Sequence, residues 1–105
     1  MNPFEIYITY ISWESGGKSR PVLVYSQDHA KITIYPITTQ YDDKSETIKA
    51  KYFKITDWAQ SGLSKLSYVD TGTLIRLPIA VIDDKKPIGK LSVSDIKRFL
   101  VFLNE

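Results

Sequence analysis

Only the end of this chain carries a sustained helical period. Ser92 and Asp95 form an S-x-x-D capping box, a shorter relative of the Ser-x-x-Glu form that ties up free N–H groups in a first helical turn. Leu91 before the cap and Ile96 after it form a hydrophobic staple. Val93, Ile96, Phe99, Leu100 and Leu103 then recur at helical spacing, which predicts an amphipathic helix lying on a sheet. Everything upstream falls into short extended segments cut by turns. A chain with many short strands, two short helices and no alternation of strand and helix folds as a small, mainly antiparallel β-barrel.

The segments read as follows. Phe4–Ile11 alternates Phe4, Ile6, Ile8 and Tyr10 against Glu5, Tyr7 and Thr9, the period of a half-buried strand. Residues 14–19, with Gly16 and Gly17 adjacent, predict a flexible loop. Pro21–Tyr25 is nearly continuous apolar sequence and predicts a strand buried on both faces. Gln27–Ala30 is a turn, and Lys31–Ile37 completes a hairpin, with Pro36 marking an end, bulge or edge. Residues 39–45 are a polar loop. Thr47–Ile55 predicts a fourth strand, and Asp57 caps a one-turn helix that Gly62 ends. Residues 66–77 hold one or two strands broken near Asp70-Thr71-Gly72, residues 79–82 are a candidate continuation, and residues 83–87 turn.

At 105 residues the chain predicts one domain, 1–105, long enough to bury a core without staples. Cysteine is absent, which excludes disulfides and thiolate metal sites and fits a reducing, cytoplasmic setting. No apolar run approaches a membrane span, and MNPFEIYITY lacks the basic region and cleavage site of a signal peptide. The net charge of +2 is too balanced for bulk attraction to a polyanion, so any such site must be local.

His29 is the sole histidine and sits in a turn. It supplies one ligand where a metal needs several, and it excludes every histidine mechanism not built on itself. Asp42-Asp43 and Asp83-Asp84 read as solvated turn residues. Lys49 and Lys51 share a face of the expected fourth strand, where they either touch phosphates or protect a sheet edge. Arg20 stands apart. It follows the Gly-Gly loop and precedes Pro21 and a buried strand, so its backbone is fixed beside an open loop. It either pairs across strands as a surface cation or offers a rigid fork of donors to a phosphate. Counting outward from the Gln27–Ala30 turn sets residue 20 opposite residues 37–38, which brings Thr38 to the same end of the hairpin.

In order, Gly16-Gly17-Lys18-Ser19-Arg20-Pro21-Val22-Leu23-Val24, Tyr35-Pro36-Ile37-Thr38-Thr39-Gln40, Asp57-Trp58-Ala59-Gln60-Ser61-Gly62-Leu63, Ser67-Tyr68-Val69-Asp70 and Ile88-Gly89-Lys90-Leu91-Ser92 resemble the MazF/PemK family of type II toxin endoribonucleases. The resemblance runs over about residues 5–103. It implies an SH3-like barrel with a C-terminal helix, to which the residues themselves add the short internal helix at Asp57, assembled as a homodimer. It also implies cofactor-free, metal-independent cleavage of single-stranded RNA, chiefly mRNA, and a cognate antitoxin protein as partner. The family's catalytic Arg falls on Arg20 and its Thr on Thr38. Gly17, Lys18, Ser19, Thr39 and Gln40, with Lys49 and Lys51, are then the candidate substrate contacts. The family's Ser-Glu-Gln-Gly before Arg-Pro is altered here, with Glu14 displaced by one position. Two other functions compete: a same-fold poison of DNA gyrase of the CcdB type, which works through its C-terminal helix, and a non-catalytic SH3-like binding module.

Overall fold

A computed structural model describes residues 2–105. Its strands are β1 (Glu5–Trp13), β2 (Gly16–Gln27), β3 (Lys31–Thr38), β4 (Tyr52–Ile55), β5 (Ser67–Asp70), β6 (Ile75–Pro78) and β7 (Gly89–Lys90). Helix α1 (Glu46–Lys49) and a 3-10 turn (Ile79–Val81) interrupt them, and helix α2 (Val93–Leu103) closes the chain. All strand pairs are antiparallel, in the order β4-β5-β3-β2-β1-β7, with β6 also on β3. The sheet curls into a half-barrel with α2 against it, the small mainly-β class expected. Among the described residues no helix is long and apolar enough to cross a membrane.

The apolar run of β2 is buried on both sides. Leu23 joins a core with Ile6, Tyr35, Ile37, Phe53, Ile55 and Val69, centred on Phe99 of α2. The rings of Phe4, Tyr35 and Phe53 meet Phe99 edge-on at 6.4, 5.9 and 5.1 Å. Val22 and Val24 point the other way, into a second core with Tyr7, Ile32, Ile34 and Ile82. Helix α2 begins at its expected cap, where Ser92 Oγ accepts from the Asp95 N–H at 3.1 Å. The second half of the box does not form. The Asp95 carboxylate, fully buried, instead accepts from the N–H groups of Thr56 (3.3 Å) and Asp57 (2.8 Å) and pairs with Arg98 at 2.6 Å. It ties α2 to the chain leaving β4. Phe99 faces inward as its spacing predicts, whereas Val93 is 70% exposed and Leu100 40%.

Four expectations need correction. The stretch expected as one strand from Thr47 starts as a helix. Ser45 Oγ accepts from the Ile48 N–H at 3.3 Å, Glu46 and Lys49 suit the two ends of the dipole, and the strand begins only at Tyr52. The short internal helix is therefore this one. Residues 57–62 form hydrogen-bonded turns instead, with Ser61 N–H to Asp57 O and Leu63 N–H to Trp58 O, both 3.0 Å. The Asp57 carboxylate is taken by the Ser92 hydroxyl at 2.6 Å rather than by a cap. The loop expected over residues 14–19 shrinks to Glu14-Ser15, because β1 and β2 stay paired out to Trp13 opposite Gly16. Finally, β1 inverts its buried face. Ile6 is buried, but so are Tyr7 and Thr9, while Ile8 and Tyr10 are 39% and 59% exposed.

Two glycines fix a crossing of distant segments. Gly62 has φ +90°, and a Cβ there would strike the Ile88 carbonyl. A Cβ on Gly89 would strike the Ser61 carbonyl. The turn after β4 and the start of β7 pass in direct backbone contact, which only glycine permits.

Candidate active site

The site forms where β2 and β3 part. Their ladder runs as far as Val22 opposite Pro36 and stops. A register shift between Val24 and Ser26 brings Arg20 level with Thr38 if the pairing is continued. Beyond that point β2 keeps β1 as its neighbour and β3 takes β5.

Backbone chemistry explains the parting. Ile6 O accepts from Ile88 N–H at 2.8 Å and Ile8 O from Lys85 Nζ at 3.4 Å, so both carbonyls point away from β2. By alternation Tyr7 and Val22 form a bonded pair, and residue 21 turns its nitrogen towards β3. Residue 21 is proline and has no N–H to give. The Ile37 carbonyl, which a ladder would have satisfied from that position, accepts from Arg20 Nη2 at 3.3 Å.

The resulting cleft holds about 200 Å3 and is walled by Lys18, Ser19 and Arg20 of β2, Thr38, Thr39 and Gln40 at the end of β3, and Ser67 of β5. Arg20 spans it. Its Nε is buried and meets no acceptor among the described residues. Thr38 Oγ1 accepts from the Gln40 N–H at 3.0 Å, which orients the hydroxyl while its own proton remains free to donate. Tyr52 flanks the site. Burial and the Asp70 carboxylate raise its pKa, and the positive charge of Arg20 opposes them.

Six of the sequence candidates therefore meet in one cleft: Lys18, Ser19, Arg20, Thr38, Thr39 and Gln40. Three lie outside it. Gly17 pairs with Ser12, and a Cβ there would come within 2.5 Å of the Tyr10 hydroxyl, so its role is to let that ring cross β2. Lys49 belongs to α1, with Nζ 3.8 Å from Glu46 and 5.1 Å above the Tyr41 ring. Lys51 sits in the turn after α1, its stem against Gly72. The two lysines share no strand face, because a helix replaces the strand that would have aligned them. Ser67 also lines the cleft and is not legible as a site residue in the sequence, since its approach depends on pairing between strands distant in sequence. His29, Asp42, Asp43, Asp83 and Asp84 are exposed, and no three His, Asp or Glu side chains converge among the described residues.

No protein-family model and no curated protein sequence matches the chain. Solved structures do. The Mycobacterium tuberculosis toxin MazF-mt6 superposes with a TM-score of 0.71 at 23% identity, covering 95% of this chain and 92% of that one. A structure of an Mtb toxin gives 0.66 at 20% identity, covering 93% and 97%. At such identities the likeness is one of architecture: over nearly its whole length the chain has the fold of a MazF toxin.

Proposed function

We propose that this chain is the toxin of a type II toxin–antitoxin pair and cleaves single-stranded RNA, acting in the cytoplasm on mRNA. The observation that carries the reading is the convergence of Arg20 and Thr38 on one cleft. RNA carries its own nucleophile. The 2′-hydroxyl attacks the adjacent phosphorus, the P–O5′ bond breaks, and the products are a 2′,3′-cyclic phosphate and a 5′-hydroxyl. The protein has to position the chain and stabilise the charge on the five-coordinate phosphorus. Arg20 meets that charge with fixed donors and only secondarily takes part in proton transfer, since a guanidinium gives up its proton with difficulty. Thr38 donates to a phosphoryl or leaving oxygen. Lys18 adds positive charge along the RNA path.

The exposed Ile8, Tyr10 and Trp13 on β1 support a homodimer, whose two-fold interface would repeat one patch on both copies. An antitoxin with a disordered acidic segment suits the local basic cleft. Long RNA incubated with the protein in EDTA, with 5′ ends mapped, tests the reading. Discrete 5′-hydroxyl ends that disappear with Arg20→Ala support it. Intact RNA, or cleavage abolished by EDTA or by His29→Ala, overturns it.

A further inference from the structure

Beside the Arg20 cleft lies a second hollow of about 270 Å3, and the two share Thr39 and Gln40 as a common wall. Tyr41, Asp42, Lys65, Leu66 and Tyr68 complete its lining. The Tyr41 ring, from the loop after β3, lies flat on Tyr68 of β5, with centroids 4.3 Å apart and planes 8° from parallel. Tyr52 of β4 leans towards both, at 6.3 and 6.4 Å. None of the three belongs to either hydrophobic core. Burial raises the Tyr68 pKa, with Tyr41 and Asp42 adding to the effect, so the ring is neutral at physiological pH and its hydroxyl is a donor.

The sheet register sets this aromatic group next to the reacting centre. Thr38 is directly opposite Tyr68, and Tyr68 is opposite Lys54. Residues directly opposite in a sheet share a face, and neighbouring strands lie about 4.8 Å apart. One strand step thus separates the Thr38 hydroxyl from the tyrosine pair, comparable to the offset between a nucleotide's phosphate and its base. Single-stranded RNA is held in other proteins by this combination of a cationic groove and aromatic faces that receive unstacked bases.

We infer that Tyr41 and Tyr68 form a nucleobase subsite of the Arg20 cleft, receiving the unstacked base of a nucleotide that flanks the scissile phosphate. The inference rests on the RNA-cleavage reading above. Stacking accepts any base by its π-face, and Gln40, standing between the two hollows, presents an amide to the base edge. A purely structural role for the tyrosines would be to pin residues 39–45 onto the sheet, and the test separates the two.

A short RNA with one mapped cleavage bond is compared with two versions carrying an abasic ribose, one 5′ and one 3′ of that bond. Abasic nucleotides keep the 2′-hydroxyl, so the chemistry is untouched. Tyr68→Leu should lower kcat/KM on the intact RNA about 5- to 150-fold, the range of base–aromatic stacking, and Tyr68→Phe should retain most of the rate. Abasic substitution at one flanking position should slow the wild-type protein by a similar factor and slow Tyr68→Leu no further. Tyr41→Leu, on a loop, repeats the test if the strand variant fails to fold. Losses that multiply, or a Tyr68→Leu protein as fast as wild type, overturn the subsite and leave RNA cleavage standing. Failure of the wild-type protein to cleave any RNA overturns both.

Discussion

Arg20 donates from Nη2 to the Ile37 carbonyl at 3.3 Å, at the place where a main-chain donor at position 21 would otherwise stand. The guanidinium is thereby held across the cleft by one nitrogen while its buried Nε keeps a free proton. Arg20→Ala should reduce RNA cleavage by roughly 10²–10³, about 3–4 kcal/mol, the typical loss of one preorganised charge-stabilising donor. Arg20→Lys should recover only part of it, because an ammonium cannot bridge to Ile37 and meet a phosphate with one planar fork. Single-turnover rates on folded proteins measure both.

Thr38→Val keeps the shape and deletes the hydroxyl. It should cost about 10-fold in cleavage rate, the value of a hydrogen bond to a charged group at the low end of its range of about 1.5–3 kcal/mol. It also removes the acceptor of the Gln40 N–H, so the loop after β3 should exchange its amide hydrogens faster. An unchanged rate would remove Thr38 from the mechanism.

Asp95 is fully buried, yet it is the hinge pin of α2. Asp95→Ala strips the acceptor from two backbone N–H groups and the partner from Arg98. The expected loss is about 3 kcal/mol, since each unsatisfied donor costs about 1–3 kcal/mol. Urea unfolding should show a lower midpoint with an unchanged slope.

Gly62→Ala and Gly89→Ala should each destabilise the fold severely. At Gly62 the left-handed φ alone costs a non-glycine residue about 1–3 kcal/mol, and both substitutions drive a methyl into a carbonyl. A fall in Tm of roughly 10 °C or more is expected for a chain of this size. The two should be strongly non-additive, because they break the same contact.

Alkali should unfold the protein through its tyrosines. Burial raises the pKa of Tyr7, Tyr35, Tyr52 and Tyr68, and nearby negative groups reinforce it, Glu5 for Tyr7 and Asp70 for Tyr52. The folded chain then holds these protons after the unfolded chain has released them at pH about 10. Stability is intact below that pH and falls as pH climbs through the raised values. Tyrosinate absorbance should rise together with loss of the near-ultraviolet circular dichroism signal.

Local chemistry made much of this legible. The run at Val22–Val24 announced burial on both faces, and Ser92 announced the start of α2 to the residue. Arg20 and Thr38 could be brought together by counting from one turn, because both belong to a single hairpin. What escaped detection depended on partners far away in sequence. Asp95 looked like half of a capping box, and only the folded chain offers it the N–H groups of Thr56 and Asp57. Helix α1 is four residues long, too short to show a period, although Ser45, Glu46 and Lys49 stand where a cap and a dipole want them. Ile8 and Tyr10 follow the alternation of a buried face, yet β1 buries Tyr7 and Thr9.

Pro21 gives the cleft a property that no side chain in it could supply. Two neighbouring strands tend to zip along their full length, and a gap between them closes whenever a donor and an acceptor face one another. Here the donor is chemically missing, so the cleft stays open when empty, and no main-chain bond between the two strands has to break before a ligand enters. A residue with an N–H at position 21 would compete with Arg20 for the Ile37 carbonyl. Pro21→Ala should then tighten and stabilise the sheet and, on the proposed function, slow RNA cleavage, the two properties moving in opposite directions through a single hydrogen atom.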